Sequence, residues 1–509
     1  MFDKAKEVIK GMVMKVFNIE PIEPQSITIR QYSNFQSTAL KNQLFYRGDP
    51  SELEQYFKQT AIDDIGRARF WASVPSKELL IRKFHSGLPA EIIDKVTDII
   101  VSDLDGIDIK DKQDNDIWNE ISKDNKFNQE LLSEAISGTL INGDGALKFS
   151  IDNEITEYPI IEFIPGTEVS YEYKRGRLKA IIFHTWHKHD DKVYELREIY
   201  EVNKISYELF DSKGKQVSLT EVPALSKLES YAFKGNFIMA LPIKFFKSPK
   251  FENRGAPLLD RKLDNFDALD EVISQWVDAI RQGRVKNYIP EDLLPKDINT
   301  GKTLMANPFD NQFIKIKSSL KEDAKEQIDQ KQADIKYDAF VESYANMLDM
   351  CLQGIISPST LGIDLKKTDN AEAQREKEKT TLYTRGKIID VLNELIPSLV
   401  DISLKVYANQ KESTVKDVVD SVSVNFGEYA SPDFDSKVEV VGKAKSFGIM
   451  SLEQSIEELY GDSWTEEEKV LEVERIRNSG LVVDEQGTWK DRNLNLEDLE
   501  EDDVIEDER

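Results

Sequence analysis

Over residues 1–140 the apolar positions recur every third or fourth residue. S-K-E-L-L-I-R-K-F around Leu79 and P-A-E-I-I-D-K-V-T-D-I-I-V ending at Val101 are the clearest cases, so this stretch is expected to be mainly helical. From Gly143 to about Phe246 the period falls to two. A-L-K-F-S-I, Y-P-I-I-E-F-I, E-V-S-Y-E-Y, K-A-I-I-F-H-T-W and Y-E-L-R-E-I-Y-E-V read as strands. Asp-Asn, Pro-Gly, Arg-Gly-Arg and Asp-Asp between them suit antiparallel hairpins.

The helical period returns after Gly255, Ala256 and Pro257. A helix is expected over Leu258–Gln282, about 37 Å long at 1.5 Å per residue, with Gly283 as its terminator. Residues 286–320 hold Pro290, Pro295, Pro308, Gly301 and the alternating Q-F-I-K-I-K, which fits a small inserted α/β module and no long helix. A second helix is expected over Asp323–Gln353, then the loop G-I-I-S-P-S-T-L-G-I-D-L-K-K-T-D. A third helix should start near Asn370, capped by Asp369 with Glu372 three positions on, be kinked or interrupted at Pro397, and end near Asn409. Glu412–Phe434 reads as strand-like and the rest to Arg477 as helical.

Placed at 100° per residue, Asp260, Asp264, Asp267, Glu271 and Asp278 fall within about 60° of one another, with Leu259, Leu263, Phe266, Leu269, Ile273 and Ile280 opposite. A single sign of charge along one face is the unusual feature. A lone helix of this kind is a solvated face. Several copies around a channel would multiply it into acidic rings that repel phosphates.

Composition narrows the classes. The 509 residues carry 94 Asp and Glu against 67 Lys and Arg, a formal charge of −27. That excludes gripping nucleic acid over a broad basic face, since phosphate binding needs Lys and Arg to displace counterions. Ten acids and two bases lie in Asp491–Arg509, which is expected to be a disordered tail. The single cysteine, Cys351, admits neither an internal disulfide nor a Cys-based zinc site, and among Met347, Leu348, Met350 and Leu352 it should be packed. No run approaches membrane-spanning length, so a soluble chain made in a reducing compartment is expected.

Other chemistry is sparse. His184, His187 and His189 lie in H-T-W-H-K-H-D-D, and on a strand the last two would share a face with His184 opposite. With Asp190 or Asp191 they could bind zinc, but no further His or Cys follows at ligand spacing, so neither metal nor other cofactor is expected. G-K-T at Gly301–Thr303 has Lys296 where a phosphate-binding loop needs its first glycine, so no ATPase is expected in this chain.

The stretch S-P-S-T-L-G-I-D-L-K-K-T-D-N-A-E-A-Q-R-E-K-E-K-T-T-L-Y-T-R, Ser357–Arg385, resembles portal proteins of tailed bacteriophages, specifically of long-tailed phages of Gram-positive hosts. The order of parts along the whole chain is similar too. The resemblance implies an α+β, ring-forming architecture: a wing over 1–257, a stem helix over 258–284, a clip over 285–322 and a second stem helix over 323–354. A tunnel loop over 355–369, a long wing helix with its return over 370–429, a crown over 430–490 and the acidic tail complete it.

Such portals form a ring, commonly a dodecamer, at one capsid vertex of the virion after synthesis in the host cytoplasm. They nucleate heads with capsid and scaffolding proteins, dock the large terminase subunit, pass double-stranded DNA and hold the head-tail connector. By the same resemblance Lys366 and Lys367, bordered by Asp369 and Asn370, are the loop groups expected to meet phosphates in transit. Two rivals remain open: another acidic virion assembly protein, and a metal-dependent hydrolase built on His184–His189.

Overall fold

The structure is a computed structural model that describes residues 34–61, 68–73, 81–290, 313–316, 329–332, 334–363, 371–427, 434–461, 464, 466–478, 481–483 and 489–491. Contacts divide the chain into two units, Met1–Phe426 and Gly427–Arg509. The class is α+β.

In the first unit, α1 (Phe35–Arg47) is capped by the Asn34 side chain, and α2 (Pro50–Thr60) by Asp49 with proline at its start. Helix α3 (Leu88–Ser102) buries Leu88, Ile92, Ile93, Val96, Ile99 and Ile100, the helical stripe read in the sequence. Strand β1 (Leu104–Ile109) follows, a strand inside a stretch expected to be mainly helical. Then come α4 (Lys112–Asp124), a single π turn at Phe127–Leu131, and α5 (Leu132–Asn142). The expected helix around Leu79 is not found over 81–87, which has no regular structure. The backbone donors of Phe84 and Ser86 are taken by side chains of Ser274 and Asp270, and Lys83 Nζ donates to the carbonyls of Phe70, Trp71 and Ser73.

The β-rich stretch forms two sheets. Strands β2 (Gly145–Ser150), β3 (Ile160–Pro165) and β10 (Ala240–Ile243) pair antiparallel in the order β10-β2-β3. Strands β4 (Val169–Lys174), β5 (Arg177–His189), β6 (Lys192–Glu201), β7 (Lys204–Asp211) and β8 (Gln216–Val217) run as an antiparallel meander, with β9 (Tyr231–Ala232) on β7. Two tight turns have positive φ at both central residues, Arg175-Gly176 at 53° and 77° and Asp190-Asp191 at 46° and 57°. That twist is the one that joins right-handed strands in a two-residue hairpin.

Helix α6 (Leu263–Gln282) leads into a small mixed sheet. In it β11 (Lys286–Pro290) lies parallel to β12 (Phe313–Ile316) and antiparallel to β13 (Asp329–Lys331). Helix α7 (Tyr337–Leu352) returns from it. Two expectations are corrected here. Helix α6 begins at Leu263, five residues after Leu258, because 258–262 is held in turns, Leu258 N donating to Leu140 O and Lys262 N to Leu259 O. The second helix does not run from Asp323, since Asp329–Lys331 gives its backbone to Lys286–Tyr288.

The long helix α8 (Ala371–Gln410) spans 40 residues and continues through Pro397, so of the expected kink or interruption the second does not occur. Ile396, Leu399 and Val400 are fully buried around the proline, and packing outweighs the lost backbone bond. From Asp401 to Val406 every residue is buried, so the only charges there are paired, Lys405 Nζ reaching Asp401 at 2.6 Å. Among its described residues the strand-like stretch 412–434 yields one strand, β14 (Val422–Phe426), antiparallel to β1. One continuous core joins α1–α8, the β10-β2-β3 sheet and the inner face of the meander.

The second unit contains α9 (Phe434–Ser446), α10 (Leu452–Tyr460, capped by Ser451) and α11 (Glu466–Asn478). Beyond the expected helices it has a hairpin, β15 (Leu481–Val483) with β16 (Trp489–Asp491). Residues 492–509 of the tail lie outside the described residues.

Candidate functional site: the helix pair α6–α7 and its acidic face

Helix α6 has two halves. Through Ser274 it is sunk in the core, with Leu263, Phe266, Leu269 and Ser274 buried; from Gln275 on none of its residues is buried, and Ile280, expected on the packing face, is half exposed. Helix α7 lies antiparallel to it. Trp276 meets Tyr337, Phe340 and Tyr344, while Lys262 Nζ and Asn265 Nδ2 donate to Met350 O near the end of α7, at 2.7 and 3.0 Å. Gly283 sits where the pair turns into the sheet. A Cβ there would lie 2.5 Å from Ile335, so close approach, not a left-handed φ, calls for glycine.

The expected acidic stripe is resolved into members of different kinds. Asp260 lies before the helix and pairs with Lys250 at 2.8 Å. Asp264 is exposed and pairs with Arg69 at 2.7 Å. Asp267 is buried and accepts from the backbone N–H groups of Phe70 and Trp71 at 3.0 and 3.3 Å, so it cannot line a channel. Burial pushes its carboxyl above the ordinary range, against the pull of those two amides. Only Glu271 and Asp278 are left without a cationic partner among the described residues, each accepting from a glutamine one turn on, Gln275 and Gln282.

The sequence reading missed a neighbour of the stripe. Asp270 is fully buried and accepts from His85 Nδ1 at 2.7 Å, Trp71 Nε1 at 3.1 Å and Ser86 N at 2.8 Å, while His85 Nε2 donates to Phe45 O at 3.0 Å. A lone histidine with no partner at recognisable spacing gave no signal. Asp267 and Asp270 together pin Phe70, Trp71, His85 and Ser86 onto α6.

Cations crowd the first turn of α6. Burial, followed by the Arg69 charge, lowers Lys41 to about 8, despite Asp264 and Asp260 nearby. Its charged form is disfavoured in the fold, so the folded chain binds fewer protons than the unfolded one between pH ~8 and ~10.5, and stability rises with pH across that window. Lys41→Met is therefore expected to raise stability at pH 7 by about 1–3 kcal/mol, with the gain vanishing above pH ~10.5. Urea midpoints at the two pH values check it.

Lys366, Lys367, Asp369 and Asn370 lie outside the described residues. The base of their loop is described. Ile355 and Ile356 are buried, Ser357 N donates to Thr381 Oγ1 at 2.9 Å, and Thr384 Oγ1 donates to Ile355 O at 2.6 Å. The threonines of K-T-T-L-Y-T-R thus fasten the loop's start to α8.

The remaining candidates separate. His184 bonds Glu195 Oε1 through Nδ1 at 2.7 Å and Ser170 Oγ through Nε2 at 2.8 Å, while His189 is 3.5 Å from Asp190 on the other face. Among the described residues no three His, Cys, Asp or Glu groups converge to hold a metal. The Ser170–His184–Glu195 chain has the order of a nucleophile, base and orienting acid. Glu195, however, is clamped by Arg197, and Ser170 lies mid-strand opposite Ile182, away from any helix start that would gather oxyanion donors. Cys351 is buried, and burial pushes its thiol up to about 12, which suits packing rather than attack. Gly301–Thr303 lies outside the described residues.

No helix among the described residues is long and apolar enough to cross a membrane. No protein-family model matches the chain, and no curated protein matches it.

Proposed function

We propose that this chain is a portal protein of the tailed-bacteriophage kind: a ring-forming conduit for double-stranded DNA and a docking platform for packaging motor and connector. It makes and breaks no bonds. The observation that carries the reading is the antiparallel pair α6–α7, half sunk in the body and half clear of the core, with a small mixed sheet inserted between its two helices. Helix α7 buries only Leu348, Cys351 and Leu352 of its 16 residues, and leaves Tyr337, Val341 and Met350 exposed. A helix so poorly covered in one chain gains its partners when copies assemble.

In such a ring, α6 and α7 form the stem and the sheet between them the clip. Helix α8 spans the wing, 430–490 forms the crown, and 491–509 is the tail. The channel works by having little affinity: each neutralised phosphate adds salt-dependent binding, and a duplex held tightly cannot slide. Glu271 and Asp278 supply the repulsion, while Lys366 and Lys367 supply brief contacts from the loop.

Purified full-length protein imaged in negative stain is expected to show closed rings with a central opening wide enough for duplex DNA. A sample that stays monomeric at every concentration and salt overturns the reading.

A further inference from the structure

Two surfaces of the first unit carry opposite charge and stand apart from the helix pair. At one end of the meander, the β4–β5 and β6–β7 turns flank an open groove lined by Lys174, Arg175, Arg177, Lys179, Val202 and Lys204. Lys179 is neutralised by Glu172 at 2.9 Å and lies 3.6 Å from Glu201. Lys174, Arg175, Arg177 and Lys204 are exposed and have no ion pair among the described residues. Four uncompensated cations at one edge are unexpected in a chain of charge −27.

The second surface is a groove between the end of α4 and the β2–β3 connection, lined by Asp124, Asp152, Ile155, Thr156 and Glu162. Its three acids have no cation among the described residues, and Ile155 stands 74% exposed among them. The basic groove likewise has an apolar element, Val202 at 44% exposure.

We infer that the hairpin turns of one copy dock into the acidic groove of the next, a head-to-tail contact between copies of this chain. The inference rests on the portal reading, which requires repeated copies. Charge complementarity selects the occupant, and both halves are present on every copy. A contact between two different patches propagates around a ring if its rotation closes, whereas a patch pairing with itself stops at a dimer. Nucleic acid is the poorer occupant of the basic turns, because phosphates offer nothing to Val202 and the chain's net charge opposes their approach. The contact adds register: arginines against carboxylates fix orientation and exclude like-charged misalignments.

Charge swaps in the full-length protein test it. The turn variant Arg175→Glu/Arg177→Glu and the groove variant Asp152→Lys/Glu162→Lys, all changes at solvent-accessible side chains, are each expected to cut the assembled fraction at least ~10-fold, read by light scattering after size exclusion. Combining all four substitutions in one chain restores assembly, as does mixing the two variants, and that rescue separates lost contact from lost folding.

Variants that assemble like the wild type, or a fourfold variant that stays dissociated, overturn the contact while leaving the portal reading standing. A wild type that never assembles overturns the contact and the portal reading together. If the turn variant loses binding to duplex DNA or polyglutamate and still assembles normally, the basic turns serve another partner and the inference fails.

Discussion

Asp270→Ala is expected to destabilise the first unit by about 3–5 kcal/mol, the cost of removing one partner from a buried charged network. The carboxylate is fully buried and serves His85, the Trp71 indole and the Ser86 amide at once. Its loss leaves three donors without an acceptor, in a space that water does not reach. A domain's whole margin is about 5–15 kcal/mol, so this one change takes a large part of it. Asp270→Asn keeps the shape and one acceptor oxygen, and should cost less than half as much. Urea unfolding followed by tryptophan fluorescence reads both, since Trp71 lies in the network. Equal losses in the two variants would mean that packing, not charge, holds Trp71, His85 and Ser86 on α6. The sunken half of α6 also sets the direction of its free half, so on the proposed ring reading Asp270→Ala should form fewer rings as well as fold less stably.

The meander was legible because period-two alternation and the turn pairs Arg-Gly and Asp-Asp are local signals, and the structure puts both pairs at positive φ. The long helix was legible for the same reason, except at Pro397, where burial around Ile396 and Leu399 overrides a local rule. Illegible features depend on residues far away in sequence. The charged stretch after Asp323 reads as helix, yet Asp329–Lys331 becomes a strand because Lys286–Tyr288 offers it an edge. A helical wheel gives angles without saying which arc another segment will cover. Asp267 lies about 40° from Leu263 on that wheel, so Leu263 flanks the stripe and is not opposite it, and Asp267 falls inside the covered arc once residues 70–71 fold over it. The acidic face was therefore read too generously in extent.

That correction decides which residues can test DNA passage. Reversing Asp264 with Asp267 would confound repulsion with folding, because Asp267 holds two buried amides and Asp264 pairs with Arg69. Glu271 and Asp278 have no such duty. Among the described residues their acceptors meet only glutamines on the same helix, and neither is buried. Glu271→Lys/Asp278→Lys is therefore expected to fold and assemble as the wild type does. Each copy's charge then shifts by about four units, which in the proposed ring would turn a repelling wall into one that binds phosphate. DNA-filled heads in a complementation assay should fall at least ~10-fold, with partial recovery as salt is raised in an in vitro packaging reaction, because counterion release weakens each new phosphate contact. Glu271→Gln/Asp278→Asn removes repulsion without adding attraction, and should lie between the two. Normal filling by the lysine variant would mean that these side chains face away from the bore, and that the electrostatic lining must be sought on α7, where Asp338, Glu342 and Asp349 are exposed.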